Sequence, residues 1–191
     1  MSTETRPDKV RDRILKTAGE LFYCEGINAT GVDRISEAAG VSKRSLYQRF
    51  ASKDELVVAY LVAAGAAYLD GVVPSEDDER TPRDRMLAVF SGLQNKSFET
   101  DFRGCPCINA AAELADAAHP ARATAVENKL LLQGFFARQA ALAGALDPHG
   151  LAQQLMMVFD GGMSYALVHD TTIPGSCHAA AQALIEAQLP R

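Results

Sequence analysis

Residues 31–56 read GVDRISEAAGVSKRSLYQRFASKDEL and decide the fold. The first part of this stretch predicts a short helix that ends at Gly40, because glycine adopts the left-handed conformation of a helix C-terminus without steric cost. Ser42 is a good N-cap for a second short helix, in which Leu46 and Phe50 face inward four residues apart. Two short helices joined by a glycine turn predict a helix-turn-helix, whose second helix enters the DNA major groove.

The segments on either side of this motif complete a predicted three-helix head. Upstream, residues 8–25 have one apolar face at helical spacing, and Gly26 is expected to end that helix. Downstream, Ser52 and Glu55 have the spacing of a capping box that opens a longer helix reaching about Gly71. The small core of the head is expected to contain Ala18, Leu21, Ile35, Leu46 and Phe50.

The segment VSKRSLYQRFASKDEL, at residues 41–56, resembles the recognition-helix signature of the TetR family of transcriptional regulators (TetR/AcrR-like). The resemblance covers residues 8–70 strongly and the whole length more loosely. It implies an all-α protein with an N-terminal helix-turn-helix DNA-binding domain at residues 8–68, in which the helix-turn-helix lies at about 31–50. Residues 69–191 would form a C-terminal effector-binding and dimerisation domain. The apolar periodicity of the chain independently gives nine helices and no strand.

Residue type assigns phosphate-binding roles around the predicted recognition helix. Lys43 and Lys53 carry point charges and Tyr47 carries a rigid hydroxyl, all three suited to phosphate oxygens, whose contacts fix register without reading sequence. Thr30 is expected to cap the first helix of the motif and to offer its hydroxyl to a phosphate.

Arg44, Ser45 and Gln48 are better placed to reach base edges, since arginine pairs with guanine and glutamine with adenine. Members of the resembling family commonly have a small residue at the position of Arg44, so this arginine adds either a base contact or a phosphate contact. A solvated arginine is the alternative for Arg44 and for Arg49. The predicted DNA-binding residues are Thr30, Ser42, Lys43, Arg44, Ser45, Tyr47, Gln48 and Lys53.

The charge of the chain is unevenly distributed. The 191 residues carry a formal net charge of −5, but residues 1–55 contain ten Lys or Arg against nine Asp or Glu, whereas residues 56–191 contain nine against fifteen. An acidic body disfavours non-specific wrapping of DNA and leaves the basic face of the head for contact. No apolar run approaches the roughly 20 residues of a membrane span, and the polar start lacks a signal-peptide core, so a cytoplasmic protein without a membrane partner is expected.

The body after about residue 71 is expected to contain the remaining helices and a ligand pocket. Proline and cap signals predict helix starts at Thr81–Pro82, His119–Pro120 and Asp147–Pro148, and residues 107–117 read as a shorter alanine-rich helix. Pockets in helical bundles lie between the helices, which predicts a largely apolar site for a small hydrophobic or aromatic effector. Its expected lining, for which plain core packing is the alternative, is Phe90, Leu93, Asn109, Glu113, Phe136 and Met157.

The last two helices are expected to form the dimer interface. Gly161 and Gly162 in the middle of a helix cost about 1 kcal/mol each relative to alanine, and close approach of another helix is the usual compensation. In TetR-like proteins the last two helices build a four-helix bundle across a two-fold axis, although these helices could also pack only inside one subunit. The predicted interface residues are Leu155, Phe159, Gly162, Tyr165 and Leu184.

Cys105-Pro-Cys107 raises the question of metal or redox chemistry. Two thiolates do not complete a structural zinc site, and His119 and His178 do not lie at ligand spacing, so no metal is expected. Cysteine is also an ordinary buried residue, and redox sensing is the other open interpretation. None of the four histidines lies in a recognisable catalytic motif, so neither an enzyme nor a bound cofactor is expected.

These inferences predict a homodimeric, ligand-responsive transcriptional regulator. The resemblance implies a sequence-specific repressor that leaves a palindromic double-stranded operator when a small-molecule effector binds. Two alternatives remain open from the residues alone. One is a redox-sensing regulator that works through Cys105 and Cys107, and the other is a helical interaction protein that reads no specific operator.

Overall fold

The computed structural model describes residues 8–190, and within that range the chain is entirely helical, as predicted. The nine predicted helices are present there and no strand occurs between residues 8 and 190. The helices are α1 (Lys9–Cys24), α2 (Val32–Ala38), α3 (Lys43–Tyr47), α4 (Lys53–Val72), α5 (Pro82–Lys96), α6 (Pro106–Glu113), α7 (Pro120–Leu142), α8 (Pro148–His169) and α9 (Gly175–Gln188).

Helices α1, α2 and α3 pack around the core predicted for the head. Ala18, Ile35, Leu46 and Phe50 are fully buried, and Leu21 packs against them while half-buried. The glycine that follows α2 has the predicted left-handed backbone, with φ of +61° at Gly40. Few residues make up this core. The orientation of α3 is therefore set by two buried side chains, Leu46 within the helix and Phe50 just beyond it.

Helix α4 joins the head to the body. Its N-cap Ser52 accepts a hydrogen bond from the Glu55 amide at 3.1 Å, while the Glu55 carboxylate accepts one from the Ala51 amide at 2.6 Å, one residue before the expected partner. From this capped start, α4 packs against α1 in the head and against α5, α6 and α7 in the body. The predicted domain boundary at residue 68 therefore falls inside a continuous helix.

The composition of α4 corrects one expectation from the sequence. By length and apolar composition alone, Lys53–Val72 is sufficient to cross a membrane, so the statement that no apolar run approaches a span was wrong. In the structure Leu56, Val57 and Leu61 of this helix are buried against neighbouring helices. Contacts with α1, α5, α6 and α7 explain the apolar side chains on the buried part of α4, which is 33% of its apolar window.

Helix α7 is the centre of the body and packs against α4, α5, α6 and α8. Phe136 on α7 stacks on Phe90 of α5 with ring centroids 5.8 Å apart, and Phe159 of α8 meets Phe90 edge-on at 6.2 Å. Helix α6 is shorter than predicted, because Leu114 adopts an extended backbone after Glu113. The body is thus a helical bundle centred on α7. Helix α6 forms the edge of this bundle and lies against the head.

The glycine pair in α8 has a different role at each position. A Cβ at Gly162 would lie 2.7 Å from the Cys177 sulfur of α9, whereas a Cβ at Gly161 would meet nothing within 4 Å. The close packing of α8 on α9 inside one subunit therefore compensates the unfavourable helix propensity of Gly162. Gly161 has no such contact and lies on the exposed side of α8.

Candidate nucleic-acid interface and cavities of the body

Helix α3 presents a polar surface because its apolar side chains are used in the head. Ser42 caps the helix by accepting a hydrogen bond from the Ser45 amide at 3.1 Å, and Leu46 anchors it in the core. With these two residues fixed, the exposed side holds a lysine, an arginine, a glutamine and a tyrosine. The predicted contact residues that lie exposed on this side, together with the exposed cap, are Ser42, Lys43, Arg44, Tyr47 and Gln48.

An arginine that the sequence left open fixes α3 to the start of α1. The Arg49 Nε donates to the Asp8 carboxylate at 2.8 Å, and its Nη1 donates to the carbonyl and hydroxyl oxygens of Ser45 at 3.0 Å. Asp8 is also the N-cap of α1, and the pKa of its carboxyl is lowered by the Arg11 amide and then by Arg49. Arg49 is therefore a structural residue, and it already engages the Ser45 hydroxyl assigned to DNA.

The two predicted phosphate-binding lysines have different surroundings. Lys43 is exposed and pairs with Asp33 of α2, an ion pair that solvent screens and that contributes little to stability. Lys53 is half-buried and its ammonium donates to the Ile27 carbonyl at 2.6 Å. Lys43 is thus free to exchange its partner for a phosphate, whereas Lys53 is fixed to the loop between α1 and α2.

The structure contradicts the role predicted for Thr30. Its side chain is fully buried, and its hydroxyl donates to the Gly26 carbonyl at 2.7 Å. The N-cap of α2 is Gly31, which makes no side-chain cap bond. Thr30 therefore closes the loop after α1 and has no exposed hydroxyl for a phosphate.

A small cavity of about 30 Å³ lies where α4, α6, α7 and α8 meet. Its walls are almost wholly apolar, but two cysteines and a lysine reach it. The side chains that characterise it are Tyr68, Leu69, Cys105, Cys107, Lys129 and Phe159.

An open cleft of about 240 Å³ adjoins this cavity and shares Tyr68 with it. The other aromatic residues of the cleft are Tyr23 of α1, Tyr60 of α4 and Phe102 before α6. The Tyr23 hydroxyl donates to the Gly104 carbonyl at 3.1 Å and accepts from the Arg103 amide at 2.7 Å. The cleft is therefore bounded by the last turn of α1 in the head as well as by the body.

The pocket predicted from the sequence does not form among its six residues. Phe90, Leu93 and Phe136 are fully buried in the packed centre of the body and line neither the cavity nor the cleft. Met157 lies on the side of α8 that faces away from the core, and 71% of its surface is exposed. The three apolar residues therefore belong to the packed core, because the stacked rings of Phe90 and Phe136 leave no space between them.

The two polar residues of the predicted pocket hold the ends of α6 instead. Asn109 donates to the Arg103 carbonyl at 2.8 Å, within the turn that precedes the helix. Glu113 accepts from the Asn28 amide at 2.8 Å, and the Asn28 side chain donates to the Glu113 carbonyl at 2.9 Å. These bonds attach α6 to the loop between α1 and α2, a connection that no sequence pattern signalled because 85 positions separate the partners.

The two cysteines at the cavity have opposite acidities. The neighbouring Cys107 thiol and then the positive charge of Lys129 lower the pKa of Cys105 in spite of its burial. The proximity of Cys105, together with burial, raises the pKa of Cys107. Burial lowers the pKa of Lys129, but Cys105 and Asp160 outweigh it, so the side chain stays an ammonium.

The residues predicted for a dimer interface divide between the interior and the surface. Leu155, Phe159 and Gly162 are buried within the subunit, so they are not available to a partner and this part of the prediction was wrong. Tyr165 is half exposed, and Leu184 of α9 is half-buried. The exposed row on α8, which we call the α8 stripe, consists of Gln154, Met157, Gly161, Ser164, Tyr165 and Val168.

A capped short helix with an exposed polar face, held by a three-helix head on a helical body, defines the class of helix-turn-helix DNA-binding proteins. The sequence model described as "Bacterial regulatory proteins, tetR family" matches residues 14–60. A solved TetR transcriptional regulator from Streptomyces avermitilis is 40% identical, with a TM-score of 0.88 over 95% of this chain and 98% of that one. The chain belongs to the TetR family of transcriptional regulators.

Two further similarities extend this result. SCO4454, a TetR-family transcriptional regulator from Streptomyces coelicolor, is 29% identical with a TM-score of 0.82, and the match covers 93% of both chains. The transcriptional activator FasR of Mycolicibacterium smegmatis is 33% identical over 118 residues, which are 56% of this chain and 54% of that protein. The chain thus matches about half the length of FasR, whereas it matches the solved structures along nearly their whole length.

Proposed function

We propose that this regulator binds a palindromic operator as a homodimer, acts as a repressor in the cytoplasm, and is released by a small apolar or aromatic effector. The observation that carries the proposal is the exposed face of α3, which holds Lys43, Arg44, Tyr47 and Gln48 on a helix anchored by Leu46. The half-exposed tyrosine and the two exposed cations are not part of the buried core of the head. They suit a phosphate backbone and base edges.

Two copies of α3 would enter successive major grooves about 34–36 Å apart. The α8 stripe supports such a dimer, because Met157 and Val168 are 71% and 78% exposed on one side of a long helix. A groove of about 290 Å³ beside Gly161 and Tyr165 continues this surface onto α9. Burying this face against a second copy would remove apolar surface from water and fix the separation of the two heads.

The aromatic cleft is the site we propose for the effector. It is open and larger than the cavity, and three tyrosines and a phenylalanine supply flat apolar walls with hydroxyl groups at their edges. It also contacts Tyr23 of α1, whose hydroxyl is bonded to the turn before α6. An effector that favours a different placement of α6 against α1 would shift the population of head positions and release DNA.

The direct test is fluorescence anisotropy with DNA from upstream of the protein's own gene, with salt and competitor DNA varied. Tight binding that survives competitor is expected, and it should weaken in an Arg44→Ala and Gln48→Ala double variant that retains its helical circular dichroism. Lys16→Ala is the matched control, since Lys16 is an exposed lysine of α1 that lies outside the predicted recognition helix. Binding that disappears with modest salt and is equal for all sequences would leave only a non-specific basic face and overturn the proposal.

A further inference from the structure

Two cysteines and an ammonium share the small cavity, which lies beside the proposed effector cleft. Cys105 is 8% and Cys107 7% exposed, and both line the cavity with Lys129. The Asn128 amide donates to the Cys107 sulfur at 3.6 Å and to the Leu61 carbonyl of α4 at 2.8 Å. The pair thus differs from ordinary buried cysteines in having an amide and an ammonium beside it, those of Asn128 and Lys129.

Cys177 shows what a purely structural cysteine looks like in the same chain. It is 9% exposed and packs against Gly162 between α8 and α9, and within residues 8–190 its hydrogen-bond partner is the Val158 carbonyl. Burial raises the pKa of its thiol, and no cation lies beside it to oppose the shift. Burial alone therefore does not explain the charged surroundings of Cys105.

The size of the cavity selects the reagent. A volume of about 30 Å³ holds about two water-sized molecules, since one needs roughly 10–15 Å³. An aromatic effector does not fit, but a hydroperoxide of two oxygen atoms does. The cavity and the open cleft share Ala64, Tyr68 and Pro106 as lining residues, so the cavity lies directly beside a space that is open to solvent.

We propose that Cys105 and Cys107 form a peroxide-reactive dithiol whose conversion to a disulfide changes operator affinity. The inference rests on the proposed DNA-binding function. The Cys105 thiolate attacks one peroxide oxygen, the O–O bond breaks, and the leaving oxygen takes a proton from the Lys129 ammonium, which solvent restores. The Cys107 thiol then attacks the sulfenic sulfur of Cys105, and the hydroxyl leaves as water with the thiol proton. Two thiols and one hydrogen peroxide molecule thus give one disulfide and two water molecules.

The head would respond because the dithiol is connected to it at three points. Cys107 is bonded through Asn128 to the backbone of α4, the helix that runs directly into the head. The turn before Cys105 is bonded to Tyr23 of α1, and Glu113 at the far end of α6 is bonded to the Asn28 loop. Drawing the two sulfurs together displaces the first turn of α6, and these bonds carry the displacement to α1 and α4.

The test uses the full chain with Cys24→Ser as the background, because Cys24 is exposed and would form links between molecules. Hydrogen peroxide treatment is followed by mass-spectrometric mapping and by operator anisotropy, before and after reduction with dithiothreitol. We expect a Cys105–Cys107 disulfide and a loss of operator affinity of about tenfold, within the usual range of coupling between sites. Dithiothreitol should restore the affinity.

Three variants assign the steps. Cys107→Ser should stop at a sulfenic acid on Cys105 that dimedone traps, Cys105→Ser should remain unmodified, and Cys177→Ser, the matched buried control, should behave like the background protein. Cys105 oxidised no faster than Cys177 would overturn the reactive site, and this measurement needs no DNA. A disulfide that forms while operator affinity stays unchanged would overturn the coupling. If no DNA is bound at all, the mapping still decides the dithiol, so the two proposals fail separately.

Discussion

At the scale of single residues, Tyr47 is the clearest indication of what α3 contacts. It is 49% exposed on a helix of five residues, although the head has few large side chains with which to build its core. A tyrosine used for stability would be buried beside Leu46. Its exposure leaves the ring and hydroxyl for a partner, and Lys43 lies in the same helix with only a solvent-exposed ion pair to Asp33.

Substitution of Lys43 and of Tyr47 should therefore affect DNA binding differently. Lys43→Ala is expected to reduce the slope of log affinity against log salt by about one unit, because one fewer phosphate is neutralised. Tyr47→Ala should weaken binding to all sequences with little change in that slope, since it removes a neutral contact. Anisotropy titrations over a range of salt measure both, with Lys16→Ala as the control. Unchanged affinity in both variants would remove α3 from the interface.

Thr30 supports the opposite prediction, an effect on stability without an effect on DNA. Thr30→Val leaves the Gly26 carbonyl without its buried donor and should lower the free energy of unfolding by about 1–3 kcal/mol. Thr30→Ser keeps the hydroxyl and should lose less. Urea unfolding gives both values. A Thr30→Val protein of unchanged stability but weaker phosphate binding would restore the role first predicted from the sequence.

At the scale of elements, the contact between α4 and α7 sets how the head is attached. A Cβ at Gly65 would lie 2.4 Å from the Asn128 side chain, so α4 can approach α7 only because this position lacks a side chain. Asn128 then bonds the Leu61 carbonyl across the contact. The same amide also donates to the Cys107 sulfur, so Asn128 connects α6 to α4.

Gly65→Ala should accordingly destabilise the body by about 1–3 kcal/mol through overpacking. In an Asn128→Ala background the same change should cost little or even stabilise, since the clash is gone and alanine favours a helix by about 1 kcal/mol over glycine. A double-mutant cycle from urea unfolding measures this coupling. Equal costs in the two backgrounds would show that Asn128 does not fill the space above Gly65.

At the scale of the whole molecule, the position of the exposed apolar surface decides how two subunits meet. Gly162 packs against Cys177 within one subunit, whereas Gly161 and its neighbours in the α8 stripe are exposed. The charge is distributed at the same scale, since residues 56–191 hold fifteen of the 24 acidic side chains. We expect this distribution to favour an orientation in which α3 faces DNA and the acidic body faces away from it.

Met157→Glu should therefore give a folded monomer, because it places a charge in the centre of the α8 stripe. Leu146→Glu is the matched control. Leu146 is an apolar side chain of similar size to Met157 and is 85% exposed, but it lies before α8. Gly162→Glu should instead lose folded structure, since its side chain enters the packing between α8 and α9. Sedimentation velocity and circular dichroism separate these results. A dimeric Met157→Glu protein would place the interface on another surface.

The sequence by itself determined the local structure and the family. Local signals act through neighbouring backbone groups, and they include caps such as Ser42 and Thr81, prolines at the first helical positions, and glycines such as Gly40. A short window of sequence is therefore enough to predict their effects. The exposed residues of α3 could be named for the same reason, since two buried anchors fix the helix orientation. Thr30 was misassigned because its partner, the Gly26 carbonyl, depends on how the loop closes.

The tertiary structure alone decided which distant residues meet. Cys105 and Cys107 were visible as a pair, but Lys129 joins them only because α6 packs on α7, and periodicity gives the buried face of a helix without naming its partner. The same limit explains why Phe90, Phe136 and Met157 were grouped into a pocket that does not exist. The spacing of apolar residues indicates which side chains avoid water. Only the packing of the helices determines whether such a side chain contacts a core, a cavity or a second subunit.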